Sequence, residues 1–368
     1  MNTTLPAGVV TLGDHERLAA THLPEPVWAY FQGGAGDELT VQANRQAWDR
    51  WHLHPRVLRQ VAAGHTRMML LGRTSPCPIL IAPVAYQRMA HVDGEVATAC
   101  AASAQGAGMV LSTQASMPME RVAQAIAGDA DRGPLWFQLY AQADRGFTSS
   151  LIQRAEAAGF EAIVVTVDAP CSGARDRERR AGFQLPAGIH AVNLGGMRPP
   201  DRPRLAPGQS ALFDGLLPQH ATTWDDITWL LSQTRLPVLL KGILHEDDAR
   251  QAAALGVHGL IVSNHGGRTL DTAVSTAWAL PRVVEAVGAD MPVLVDGGIR
   301  RGTDVLKALA LGARAVLIGR PCIHGLANAG AMGVAHVIRL LRDEFEIAMA
   351  LTGCRTLADI HRGLLVAA

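Results

Sequence analysis

PVLVDGGIRRGTDVLKALALGARAVLIGR, residues 292–320, runs through a short apolar segment, a glycine turn with two arginines, a leucine- and alanine-rich segment and a second apolar segment. The apolar runs, PVLVDGG (292–298) and AVLIGR (315–320), are continuous rather than alternating. That pattern fits strands buried on both faces, as in a parallel sheet. Between them, GTDVLKALALG (302–312) closes on glycine, a helix end signal. Six similar runs come earlier: PILIAPVA (78–85), GMVLST (108–113), LWFQLY (135–140), AIVVTVD (162–168), PVLLKG (237–242) and GLIVSN (259–264). Helix-like segments lie between most of them, at 93–106, 148–160 and 245–256. Eight strands alternating with helices over roughly 240 residues match a (β/α)8 TIM barrel of the α/β class. A doubly wound sheet is the rival; polar residues consistently placed at the strand ends favour the barrel.

Working outward, residues 1–77 read as an N-terminal helical extension and residues 321–368 as C-terminal helices. The long segment after strand four, 169–222, is rich in glycine and proline and has no clear periodicity. A loop of that length inside a compact fold is usually functional, and its place on the catalytic face makes it an expected active-site lid.

Composition narrows the function. Apolar residues make up 48% of the 368, enough for a sizeable core. Net charge is zero and aromatics are 5%, so nothing points to nucleic acid. No run of 18 uncharged apolar residues suggests a membrane span, and the N-terminal residues lack a secretory pattern. Five widely spaced cysteines support neither a disulfide framework nor a metal site, and a reducing cytoplasm is the expected compartment.

Active sites of such barrels lie at the C-terminal strand ends. Those ends carry Ser112, Gln138 and Tyr140, Thr166 and Asp168, Lys241, Ser263 with His265 and Arg268, Asp296 with Arg300, and Arg320. VDGGIRRGTD (295–304) and LIGRP (317–321) end strands seven and eight, where barrels often hold a phosphate. Backbone N–H groups at glycines approach oxygens closely, and Arg300 and Arg320 add charge-assisted bonds. The bland alternative is two tight turns with surface arginines, and the pattern names no particular phosphate. SNHGGRTLD (263–271) places His265, able to take a proton near neutrality, three residues before Arg268, able to grip a carboxylate through two hydrogen bonds. Asp168 is available to orient the imidazole. Lys241 reads either as a cation facing electron-rich cofactor atoms or as a charge reaching solvent at the rim.

Taken together, YFQGGAGDELT, WFQLY, TVDAP, LLKGI, SNHGGRTLD, VDGGIRRGTDVLKALALGA and IGRP occur in the order found in the FMN-dependent 2-hydroxy-acid oxidase and dehydrogenase family, which the chain resembles from about Leu18 to Ile360. The resemblance implies one FMN-dependent domain over residues 1–368. It places FMN against the backbone of Pro83, Val84 and Ala85, and against Ser112, Gln138, Thr166, Lys241 and Ser263. Asp296 would meet the ribityl hydroxyls, and Gly297, Gly298, Arg300, Gly319 and Arg320 the phosphate. Lys241 would face the flavin pyrimidine edge. Tyr30, Arg175 and Arg268 would hold the carboxylate of a 2-hydroxy acid, with Tyr140 near its hydroxyl. His265, paired with Asp168, would be the base, acting on either the hydroxyl proton or the alpha proton. Oxygen would be the electron acceptor, giving hydrogen peroxide, with a quinone or protein acceptor or a monooxygenase-like outcome as alternatives. A barrel that binds FMN without redox chemistry is a further alternative, and a homotetramer or octamer is the implied assembly.

The sequence departs from the family at several positions, of which Val84, Gln114 and Ser172 are expected to shape the far end of the substrate. Val84 stands where threonine is usual, Gln114 where glycolate oxidase has tryptophan, Ser172 where a bulkier residue is common, and Thr269 where glutamine is usual. Trp28 is expected to line the same compartment. APVAYQR resembles the 4-hydroxymandelate-oxidising branch, and the small residues leave room for an aromatic or branched group.

Overall fold

The computed structural model describes residues 4, 5, 7–198, 204–217 and 221–368. Three helices come first: α1 (Leu12–His22), α2 (Glu25–Gln32) and α3 (Leu39–Asp49). Thr11 caps α1 reciprocally with Asp14, a helix start encoded in the sequence itself. Strands β1 (Trp51–Leu53), β2 (Met68–Leu70) and β3 (Arg73–Ser75) follow.

The barrel is then laid down strand by strand: β4 (Ile79–Ile81), α4 (Gly94–Ala104), β5 (Gly108–Ser112), α5 (Met119–Gln124), β6 (Leu135–Leu139), α6 (Arg145–Ala157), β7 (Ile163–Thr166), α7 (Asp176–Arg180), α8 (Trp224–Ser232), β8 (Val238–Ile243), α9 (Glu246–Ala254), β9 (Gly259–Val262), α10 (Thr276–Val287), β10 (Val293–Val295), α11 (Gly302–Ala310) and β11 (Ala315–Ile318). All eight barrel strands are parallel, and the ring closes where β11 pairs with β4 in the register Val316↔Ile79. The expected barrel is therefore the observed one; seven of the eight runs contain their strand, and β8 extends one residue past its run.

The continuous hydrophobicity of the strands has a direct cause. Leu80, Val110, Trp136, Val164, Leu239, Ile261, Leu294 and Leu317 point into the barrel and pack as one cluster. Their chain neighbours, among them Ile79, Met109, Phe137, Val165, Leu240 and Val295, point outward into the larger core beneath the helices. Both faces of every strand are thus dry, and the side-chain period of two brings apolar residues to both.

Two expectations need correction. The extension at 1–77 is not wholly helical: β2 and β3 form a hairpin whose Leu70, only 2% exposed, joins the interior cluster from below. Residues 321–368 are not helical throughout either. One long helix, α12 (Arg320–Thr352), kinks at Ala329–Gly330, and the chain then ends in strand β12 (Leu365–Ala367), paired antiparallel with β1. The segment after β7 holds α7 and two short turns at Val192–Leu194 and Ala211–Leu216, while 199–203 and 218–220 lie outside the described residues. Among the described residues no helix is long and apolar enough to cross a membrane.

Candidate active site

The turn after β9 carries three consecutive residues with positive φ: His265 (57°), Gly266 (63°) and Gly267 (76°). Glycine adopts this region freely, whereas histidine there costs roughly 1–2 kcal/mol. The conformation aims the imidazole across the barrel mouth. Its Nδ1 lies 2.9 Å from Asp168 Oδ1 at the end of β7, and its Nε2 lies 3.4 Å from the Tyr140 hydroxyl beyond β6. A carboxylate on Nδ1 fixes the N–H there and leaves the Nε2 lone pair facing the cavity. Burial holds His265 below its ordinary pKa, opposed by the charge and hydrogen bond of Asp168. The ring is therefore neutral near neutrality and able to accept a proton. Burial opposes ionisation of Asp168, but His265 and Lys241 outweigh it and the carboxyl stays low. Gly242 permits the approach: a Cβ there would stand 2.5 Å from that of Asp168.

Lys241, in β8, is 4% exposed. Its ammonium lies 3.1 Å from Asp296 Oδ2 and donates to Ser263 Oγ at 2.8 Å. Burial pulls its pKa down, and Asp296 and Asp168 more than reverse this, so it remains charged. Ser263 Oγ also accepts from the His265 backbone N–H. It thus acts beneath Lys241 and the base turn rather than on the cavity wall. Gln138 is held by its amide oxygen, which accepts from Ser112 Oγ and Thr113 N, both at 3.2 Å. Its Nε2, and Asp296 Oδ1, are buried without a partner among the described residues.

At the ends of β10 and β11, Arg300 and Arg320 are partly buried near one another. Burial, then neighbouring cations, lowers Arg300 to about 10 and Arg320 to about 9. Arg320 is also structural: Nε, Nη1 and Nη2 donate to the carbonyls of Phe31, Gly266 and Gly33. The glycine turn beside them is gripped by α3, through Trp48 Nε1 to Gly297 O (2.9 Å) and Arg45 Nη1 to Gly298 O (3.0 Å). A Cβ on Gly298 would lie 2.2 Å from Asn44 O, so only glycine fits.

Arg268 and Arg175 converge from different elements. Arg268 Nη1 donates to the carbonyls of Tyr30 (2.6 Å) and Gly33 (2.8 Å), and its guanidinium sits 5.1 Å from the Tyr30 ring centre. Glu178, in α7, accepts from Arg175 Nη1 at 3.1 Å and Arg268 Nη2 at 3.3 Å. Glu178 is not on the cavity wall, so it holds both cations from behind and leaves their cavity-facing edges free. Tyr30 also stacks on Phe183 at 4.7 Å between centroids, and Arg177 pairs with Glu38. These contacts dock the segment after β7 on the N-terminal extension. Burial raises the Tyr30 phenol to about 12 and raises that of Tyr140 as well, so both are donors at neutral pH.

One cavity gathers these groups. Its wall includes Tyr30, Tyr140, Arg175, Arg268 and His265 at one end, and Pro83, Val84, Ala85, Ser112, Gln138, Thr166 and Lys241 along its length. Asp296, Gly297, Gly298, Arg300, Gly319 and Arg320 line the rest of it, with Arg320 sharing the Gly33 carbonyl with Arg268. Asp168 and Ser263 stand one layer back. Gln114 and Ser172 line the cavity as expected, together with Tyr86, which the sequence reading did not single out. Trp28 does not line it; its ring packs against His324 with centroids 5.4 Å apart.

A family model described as FMN-dependent dehydrogenase matches residues 19–367. The chain belongs to this family. An L-lactate oxidase of Nostoc is 49% identical over 97% of the chain and 98% of its own length. The human 2-hydroxyacid oxidase 1 is 42% identical over 97% of the chain and 96% of its own. A crystal structure of a mandelate oxidase with benzoyl-formic acid superposes with a TM-score of 0.86 at 42% identity, covering 97% of this chain and 98% of that one.

The cofactor of this FMN-dependent dehydrogenase is FMN, and the residues fit it. The unpartnered Gln138 Nε2 is a donor suited to a flavin ring carbonyl or nitrogen, and the unpartnered Asp296 Oδ1 an acceptor suited to a ribityl hydroxyl. Two guanidiniums on the cavity wall, their pKa lowered first by burial and then by neighbouring cations, call for a dianion such as a phosphate. The phosphate would lie at Gly297, Gly298, Arg300, Gly319 and Arg320, and the ring along Pro83–Ala85, facing Lys241.

Proposed function

We propose that this protein oxidises an (S)-2-hydroxy acid to the corresponding 2-oxo acid, with oxygen as electron acceptor and hydrogen peroxide as the second product. The observation that supports this most is His265, backed by Asp168 and facing the Tyr140 hydroxyl, on the same cavity wall as Arg175 and Arg268. Phosphate binding needs none of these five groups.

Arg268 and Arg175 grip the substrate carboxylate, and Glu178 keeps the two cations at a fixed separation. The Tyr140 hydroxyl steers the substrate hydroxyl toward His265. Nε2 of His265 takes the proton, and Asp168 stabilises the imidazolium that results. FMN, when bound, accepts the other hydrogen together with the two electrons. Lys241, held charged by Asp296, stabilises the negative charge that develops next to it. The remainder of the substrate lies toward Val84, Tyr86, Gln114 and Ser172. The segment 169–222 is read as the lid over this end, supported by its docking through Glu178, Arg177 and Phe183.

Anaerobic mixing of the yellow protein with glycolate, lactate, mandelate and 2-hydroxyoctanoate tests the reading. At least one should bleach the visible flavin absorbance; no change with any of them overturns it. Peroxide formed per substrate consumed should be near one, and a value near zero removes oxygen as acceptor. The chain is read as one domain, because its main core runs from Leu12 to Leu364. Assembly as a homotetramer or octamer is supported by Val57 and Leu58, exposed on a segment packed against the end of α12, and sedimentation measures it. Five free cysteines suit a reducing cytoplasm.

A further inference from the structure

The base turn is closed from within by Gly267 N, which donates to the Asn264 backbone carbonyl at 2.9 Å, and is held from outside by side chains as well. Asn264, between Ser263 and His265, is 2% exposed, as is Asn44 of α3, 220 residues earlier. Their side chains form a reciprocal pair. Asn44 Nδ2 donates to Asn264 Oδ1 at 2.8 Å, and Asn264 Nδ2 donates to Asn44 Oδ1 at 2.9 Å. Three further bonds go to backbone. Asn264 Oδ1 accepts from Gly267 N at 3.2 Å, Asn264 Nδ2 donates to Val274 O at 3.1 Å, and Asn44 Oδ1 accepts from Thr276 N at 3.2 Å. Each amide has one possible orientation, since turning either would set an NH2 group against a backbone N–H.

Neither asparagine lines the cavity, so neither is available to substrate. The Asn264 side chain binds the backbone at the end of the left-handed stretch 265–267, at Gly267, and beyond it, at Val274. Asn44 in turn belongs to the helix that grips Gly297 and Gly298 through Trp48 and Arg45.

We infer that Asn44 is a positioning residue for the proton acceptor: through Asn264 it keeps the His265 turn left-handed and at a fixed distance from the phosphate turn. The inference rests on His265 being the base. Without Asn44, Asn264 loses its buried partner, the turn relaxes toward φ values that histidine prefers, and Nε2 leaves its place beside the Tyr140 hydroxyl. A displacement of about 1 Å at a reacting group lowers rates by around two orders of magnitude.

The test uses the flavin-loaded proteins N44A and N44D beside wild type. N44A should keep FMN while its rate of flavin reduction at saturating substrate falls about tenfold or more. A crystal structure of N44A should find His265 outside the left-handed region and Nε2 further from Tyr140. In N44D the buried carboxyl replaces the amide atom for atom. Protonated, it both accepts and donates as asparagine does; ionised, it loses the donor and repels Asn264 Oδ1. The rate ratio of N44D to wild type should therefore approach one at low pH and fall as pH rises, whereas the N44A ratio stays low and flat. A purely structural role would lower thermal stability in both variants but leave these ratios near one at every pH. N44A with normal flavin reduction overturns the inference. So does loss of FMN with normal reduction after reconstitution, which would assign Asn44 to cofactor retention. If N44A does not fold, the pH course of the N44D ratio decides alone. Wild type that no 2-hydroxy acid reduces overturns the base assignment and the inference with it; a reducible wild type with unaffected variants overturns the inference only.

Discussion

At the N-terminal end of the barrel, the β2–β3 hairpin pushes Leu70 under the inward-facing side chains, and the interior is sealed by hydrocarbon. At the C-terminal end the same strands finish in Gln138, Thr166, Lys241 and Asp296, all less than 10% exposed, two of them with a buried polar atom lacking a partner among the described residues. The lower end lowers the free energy of the fold by burying apolar surface. The upper end holds polar groups in place at a cost that a bound cofactor and substrate offset. One set of eight strands therefore serves stability at one end and chemistry at the other, as expected for this architecture. The two ends should respond to substitution in opposite ways.

His265→Ala should break the upper end alone. Flavin reduction should fall about 10³-fold, with FMN retained and the melting temperature near that of wild type. Stopped-flow spectroscopy and calorimetry measure both, and reduction at a near-normal rate would remove His265 as base. Leu70→Ala should do the reverse, destabilising by about 3 kcal/mol through a cavity at the lower end while flavin reduction at 25 °C stays normal. A large loss of activity in folded L70A would mean that the ends are not separable. Asp168→Asn should lower the rate about 100-fold. Because Asp168 raises the His265 pKa against burial, its removal should also shift the acid limb of the pH–rate profile to lower pH; an unmoved limb counts against the pairing.

A smaller effect lies outside both ends. His15 in α1 is fully buried, with Nε2 3.0 Å from His336 Nδ1 and Nδ1 against Asn328. Burial, then His336, lowers its pKa to about 4. A folded-state value below the unfolded one means that the neutral ring stabilises the fold above about pH 6.5, and this contribution is lost as pH falls toward about 4. Chemical denaturation between pH 7 and 4 should show wild type losing more stability than His15→Gln. Equal losses would mean that other groups carry the dependence.

The strand runs, the barrel and the polar residues at the strand ends were legible because each depends on a local pattern, an apolar run followed by a polar residue, whereas Tyr30, Arg175 and Pro83–Ala85 were named only through the family resemblance. The parts that were not legible depend on partners distant in the chain. The β1–β12 pairing joins residues 51–53 to 365–367 and has no local signal. The β2–β3 hairpin turns on Leu71 and Gly72, both at positive φ, and leucine is not a residue that announces such a turn. Glu178 sits in RDRERR, which reads as a solvated charge run until the fold brings Arg268 to it. Trp28, on α2, packs on His324 instead of reaching the cavity. Asn44 and Asn264 look like surface polar residues in the sequence, and only the packing of α3 over two turns makes them a buried pair.

The pairing of β1 with β12 has a consequence for synthesis. Barrel closure needs β11 beside β4, and the strand at 51–53 has no partner until residues 365–367 exist. A growing chain on the ribosome therefore carries an open β4 edge until residues 315–318 emerge and an open β1 edge until residues 365–367 do. Such edges template association with other chains. Shielding of nascent β1 and β4 by a chaperone, or slow translation of the last helix, should govern how much protein a cell recovers.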